Sequence, residues 1–157
     1  MVAHLFAGSA LCAIGARGRM TLPAFARTTL VRRESPGRLF LGLHETDTCL
    51  VAIDPGEMAE LQSNCARRRV VEEGEHADDS AGRLRRVFGL MDDVWVRDSG
   101  RIEIPLVLLQ RAGLKDVALV IGTGASFELW DPQLAFDGSD PDLRALAEFH
   151  LDIRQAA

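Results

Sequence analysis

Aromatic residues make up only 6% of this 157-residue chain, and lysine occurs once, at Lys115. Cysteine is nearly as scarce: Cys12, Cys49 and Cys65 are an odd number at scattered spacing, with no C-x-x-C pair. That excludes a disulfide framework and a zinc ribbon and fits a reducing cytosol. No apolar run approaches the ~18–20 residues needed to span a bilayer. Leu5 to Ile14 is apolar, but Met1 to His4 put no positive charge before it, so a strand is expected there rather than a secretory signal. The 47% of hydrophobic and 26% of charged residues suit one globular domain, or two small ones, with a modest core.

A formal net charge of −5 argues against a bulk polycation, yet the charge is unevenly placed. Residues 1–44 hold Arg17, Arg19, Arg27, Arg32, Arg33 and Arg38 against Glu34 alone, a net of +5. Residues 128–157 carry a net of −5. Local basic surface is therefore open to the first third of the chain.

An internal repeat organises the rest. Gly18-Arg19-Met20-Thr21-Leu22-Pro23 matches Gly100-Arg101-Ile102-Glu103-Ile104-Pro105, 82 residues later. The apolar–polar alternation implies a strand, and the proline implies helix entry at its first position. Short helices are expected over Ala24 to Leu30 and Leu106 to Leu114, with Gly113 as a stop. Leu50 to Pro55 likewise matches Phe127 to Pro132, each a strand ending in Asp-Pro, where the aspartate caps a helix that the proline opens.

Four segments follow: a first half at 7–56, a helical linker at 57–89, a second half at 90–133 and a helical tail at 134–157. Within the linker, Pro55 to Arg69 and Ala81 to Leu90 read as helices around a loop at Val71 to Asp79. The tail helix runs from Asp140-Pro141 to about Ile153, burying Leu143, Leu146, Ala147, Phe149 and Leu151. A half of this size is too small to bury a good core alone. Two homologous halves are expected to pair about a pseudo-twofold axis, with Trp95, Trp130 and Phe127 filling the shared core.

The Gly-Arg turns are the main candidate site. Gly18 and Gly100 fall between expected strands, where positive φ is often required, and Arg19 and Arg101 project from the hairpins that follow. Arg17 and Arg97 add charge close by. One such turn is an ordinary exposed hairpin; its duplication within a matching strand pattern favours a reader of phosphates and base edges. Other features carry less. Arg67-Arg68-Arg69 reads as a solvated helix end, and Asp78-Asp79 and Asp92-Asp93 as surface acids. His4, His44, His76 and His150 have no ligand spacing, so no metal is expected. Gly122 to Ser126 is a hairpin turn rather than a phosphate loop. No nucleophile–base set can be assembled, so no enzyme activity, cofactor or small-molecule substrate is expected.

On Gly18-Arg19 to Pro23, Cys49 to Pro55, Arg83 to Arg86, Ser99-Gly100-Arg101 to Pro105, Ala112-Gly113-Leu114 and Phe127 to Asp131, the chain resembles the MraZ family. These are bacterial transcription regulators built from two SpoVT-AbrB-type halves. The resemblance implies an α+β fold of two swapped-hairpin β-rich halves forming an intramolecular pseudo-dimer, with connecting helices and a C-terminal helix. It further implies a cytoplasmic, nucleoid-associated, ring-shaped homo-oligomer that binds double-stranded DNA at repeated elements upstream of the division and cell-wall gene cluster, its own gene included. No membrane partner is implied. Each family turn reads Asp-x-x-Gly-Arg, whereas here Gly15 and Arg97 stand at the aspartate positions, with Asp98 one residue late. Arg17 stands where the family has lysine, and Ser99 at the equivalent place. The implied DNA-binding residues are Arg19, Arg101, Arg17 and Arg97, with Gly18 and Gly100 shaping the turns. Two other readings remain: an AbrB-type antitoxin, and an interaction ring that has lost DNA binding.

Overall fold

Period-two alternation and helical periodicity share out the chain between strands and helices. The computed structural model describes residues 4–71 and 77–156, and the side chains of residues 4–64 and 81–156. The strands are β1 (Ser9–Ala13), β2 (Arg19–Thr21), β3 (Arg38–Leu43), β4 (Leu50–Ile53), β5 (Asp92–Trp95), β6 (Arg101–Glu103), β7 (Val117–Gly122) and β8 (Phe127–Trp130). The helices are α1 (Ala24–Arg32), α2 (Pro55–Val71), α3 (Ala77–Phe88), α4 (Leu106–Ala112), α5 (Pro132–Asp137) and α6 (Pro141–Ala156). The fold is α+β. Among the described residues no helix is long and apolar enough to cross a membrane.

All strand pairings are antiparallel. One sheet runs β1-β7-β8-β4-β3-β5, and β2 pairs with β6 in a separate ladder. By the repeat, β1 to β4 correspond in order to β5 to β8, so the sheet order reads the same from either edge. The first strand of each copy crosses to the other: β1 pairs with β7 and β5 with β3. At the centre Leu50 faces Leu129 and Ala52 faces Phe127. The two copies thus share one sheet.

Alternation then sorts the side chains. Leu39, Leu41, Phe127 and Leu129 point to one side and pack with Met20, Ile102, Leu30 and Leu108 in the main core. Leu119, Ile121 and Trp130 point to the other side, under Ala135 of α5 and Ala147 of α6. Buried on both faces, β7 reads as an unbroken apolar run. Burial raises the Cys49 thiol and pushes that of Cys12 up to about 11, so both thiols stay protonated at neutral pH.

The Asp-Pro copies cap as expected. Asp54 Oδ1 accepts from the Glu57 amide at 2.8 Å, and Asp131 Oδ2 from the Leu134 amide at 3.0 Å. Asp54 does more: its Oδ2 accepts from Arg33 Nη1 at 3.1 Å. Arg33 also donates to the carbonyls of His4, Gly124 and Ala125 and covers the Phe6 ring. One arginine thus ties the end of α1 to the N-terminal segment and to the Gly124 hairpin, which is a turn as expected.

Several expectations need correction. Pro23 and Pro105 are N-cap residues, one place before the helix, because both keep an extended ψ (157° and 140°). Helix α3 begins at Ala77 rather than Ala81, a start that suits the acids of Asp78-Asp79 near the positive end of the helix. The remaining expected loop, 72–76, lies outside the described residues. Trp130 is buried but Trp95 is 76% exposed. Val94 takes the inward side of edge strand β5, and alternation turns Trp95 outward beside Arg38. Phe149 is also exposed, at 59%, because α6 settles on its Leu143, Leu146 and Ala147 side.

The unequal duties of the two aspartates are measurable. Asp131→Ala removes a cap and should lower unfolding free energy by about 1 kcal/mol. Asp54→Ala also leaves the mostly buried Arg33 without its carboxylate and should cost about 3 kcal/mol. Urea unfolding of the two variants checks this, and equal losses would contradict the Arg33 anchor.

Candidate nucleic-acid interface

The β2–β6 ladder sets the geometry of the site. Arg19 faces Glu103, Met20 faces Ile102 and Thr21 faces Arg101. Met20 and Ile102 turn into the core at 1% exposure each, so alternation sends Arg19, Thr21, Arg101 and Glu103 outward together. Arg19 and Arg101 are diagonal neighbours on that face, a spacing of about 7–8 Å between such positions. The ladder extends symmetrically at both ends: the Leu22 amide donates to the Gly100 carbonyl and the Ile104 amide to the Gly18 carbonyl, both at 2.9 Å.

Each turn is closed by its own backbone. In the first, the Gly15 amide donates to the Arg19 carbonyl at 2.8 Å and the Gly18 amide to the Gly15 carbonyl at 3.2 Å. In the second, the Arg97 amide donates to the Arg101 carbonyl at 3.0 Å and the Gly100 amide to the Arg97 carbonyl at 2.7 Å. These are the same bonds 82 residues apart. They hold with no aspartate at Gly15 or Arg97, and Asp98 makes no side-chain hydrogen bond among the described residues. Gly15 itself has an ordinary extended backbone (φ −89°), so its flexibility is not what closes the turn.

The glycines after each turn are required. Gly18 has φ 71° and Gly100 φ 82°, a region that side chains disfavour. A Cβ at Gly18 would run into the Ile104 carbonyl oxygen across the ladder, whereas one at Gly100 would press only on the flexible Arg27 side chain. Arg27 comes from α1, in the other copy of the repeat, and brings an exposed guanidinium to the second turn. The sequence reading passed over it because 73 positions separate it from Gly100; the arginine excess of residues 1–44 was its only trace.

Arg17 sits exposed at the tip of the first turn with φ 62°, a left-handed conformation rare for a side-chain-bearing residue. Its counterpart Ser99 has no such conformation. Arg97 stands in the second turn, its Nη2 3.9 Å from Glu103 Oε1. Arg19 Nε lies 3.3 Å from the same oxygen. Glu103 is a second site residue that sequence reading missed, since it looked like one more outward polar position. The face therefore carries Arg19 and Arg101, with Arg97 reaching Glu103, while Arg17 stands exposed at the tip of the first turn and Arg27 lies against Gly100. The Arg67-Arg68-Arg69 side chains, and those of His76 and Asp78-Asp79, lie outside the described residues. Asp93 is engaged by Arg38, while His44 accepts the Thr46 and Asp47 amides and His150 meets Ser9.

Fold and site define a class: an α+β protein in which a duplicated strand–turn–strand unit shares one sheet and presents paired Gly-Arg turns. No family model matches the chain. It is, however, 33% identical over 128 residues to the transcriptional regulator MraZ of Bordetella pertussis, covering 81% of this chain and 82% of that protein. Identity to the transcriptional regulator MraZ of Alcanivorax borkumensis is 29%, covering 80% and 82%, and to that of Proteus mirabilis 26%, covering 90% and 89%. The chain belongs to the MraZ family.

The left-handed Arg17 gives a stability test of opposite signs. Arg17→Gly removes the positive-φ penalty and should raise unfolding free energy by about 0.5–1 kcal/mol, net of the extra freedom glycine gains on unfolding. Ser99→Gly relieves nothing and should lower it by about 0.5 kcal/mol. Thermal or urea unfolding reads both, and a destabilising Arg17→Gly would contradict the turn geometry.

Proposed function

We propose that this protein is a sequence-specific DNA-binding transcriptional regulator that docks its two Gly-Arg turns on double-stranded DNA. The observation that carries the reading is the outward face of the β2–β6 ladder, where arginines from both copies converge on a rigid support. Arginine forks suit both phosphate oxygens and base edges, and a face fixed by backbone hydrogen bonds loses little freedom on docking. The net charge of −5 is no obstacle, because the arginine excess lies in residues 1–44, which include the first turn and the Arg27 that reaches the second.

The architecture we read is an intramolecular pseudo-dimer of two swapped-hairpin halves, 7–56 and 90–133. The palindromic strand order and the strands exchanged between copies support it. One protomer offers few contacts, so a ring-shaped homo-oligomer on repeated DNA elements would gain avidity from several weak dockings. The family points to repeats upstream of the division and cell-wall gene cluster, the protein's own gene among them, and to a nucleoid-associated cytoplasmic protein. The antitoxin reading is less favoured, since 141–156 forms a helix seated by Ala147 rather than an extended tail.

The test is binding to the protein's own upstream DNA across a salt titration. Arg19→Ala and Arg101→Ala should each weaken binding by about 1–3 kcal/mol per base contact, or reduce the salt slope by about 1 for a phosphate contact. Arg154→Ala, on α6, should do little. An Arg19→Ala/Arg101→Ala protein of unchanged fold and mass that binds as tightly as wild type would falsify the proposal.

A further inference from the structure

The two turn arginines are equivalent by the repeat but not by chemistry. Arg19 lies opposite a carboxylate, Glu103, while Arg101 lies opposite the hydroxyl of Thr21. Residues 21 and 103 are the same place in the two copies, so this one difference gives the arginines different neighbours. Arg19 donates to Glu103 through Nε, at 3.3 Å. That bond uses the inner N–H, and among the described residues neither terminal nitrogen has a partner. Arg101 has no acidic partner among the described residues.

We infer that Glu103 is a positioning residue that makes Arg19 the base-reading arginine, leaving Arg101 as a phosphate contact. The inference rests on the DNA-binding reading above. An arginine held by Nε presents its remaining nitrogens as an oriented fork, matching a pair of adjacent acceptors such as guanine O6 and N7. An arginine without such a hold samples many rotamers, which suits a phosphate, where charge matters more than angle. The carboxylate also repels phosphate and draws on Arg97, so it lowers affinity for any duplex while sharpening the choice among duplexes. Arg19 and Glu103 are each nearly half exposed, and a pair so solvated contributes little to folding. Replacing Glu103 therefore tests recognition without disturbing the fold.

The experiment measures binding of the intact protein to a duplex of its own upstream region and to a scrambled duplex of equal length and composition. Glu103→Gln should bind the scrambled duplex more tightly, with a salt slope steeper by up to about 1. Its preference for the upstream duplex should fall at least about fivefold, the lower end for losing one oriented fork. Arg19→Lys should lose the same preference, because an ammonium is no fork, whereas Arg101→Lys should shift both duplexes by the same factor. A Glu103→Gln protein that keeps the wild-type preference overturns this inference alone, as does an Arg101→Lys protein that loses preference as Arg19→Lys does. Wild type that binds both duplexes equally overturns the sequence-specific part of the reading above and this inference with it. Wild type that binds neither overturns the DNA-binding reading and this inference together.

Discussion

The close approach of β2 to β6 is the constraint on which the molecule turns. At Gly18 the two backbones pass so near that no side chain fits before the Ile104 carbonyl. That approach lets Met20 and Ile102 close the core from one side and places four polar side chains on the other. It also joins the copies of the repeat where neither has material enough for a core. The turns inherit their rigidity from it, because each leads directly into a strand of this ladder and is closed by its own backbone bonds.

Symmetry in the backbone leaves chemistry free to diverge. The same hydrogen bonds recur 82 residues apart, yet the first turn carries a left-handed Arg17 and the second an ordinary Ser99. Thr21 became Glu103 in the second copy, and Leu109 stands where the first copy has Arg27. Arg27 crosses the join, reaching the second turn from the first copy's helix. The Asp-Pro caps diverge likewise, with only Asp54 recruited by Arg33. A duplicated unit within one chain permits this division of labour; a homodimer must carry each change twice.

Much of this was legible in local pattern. The Gly-Arg and Asp-Pro blocks marked strands, turns and caps because their physics is short-range: alternation, positive φ, and a carboxylate three residues before an amide. Pairing between copies is less legible, since the exchanged strands meet partners from about fifty (β3 with β5) to more than a hundred (β1 with β7) residues away. Trp95 was misplaced because aromatic character suggests burial, while its position on an edge strand, with Val94 facing in, decides exposure. Phe149 was misplaced for a similar reason: helical periodicity names an apolar face but not how far the neighbouring sheet covers it. Arg27 and Glu103 carry no local signal, because Gly100 and Arg19, which they meet, lie in the other copy of the repeat.

Hydrogen exchange of backbone amides, in the free protein and after addition of DNA from upstream of its gene, tests the joint presentation of the two turns most directly. If the ladder presents both turns as one docking face, segments 15–22 and 97–104 should gain protection together, while α6 is unchanged. DNA binding that protects only one turn, or protects α6 and neither turn, would contradict the account.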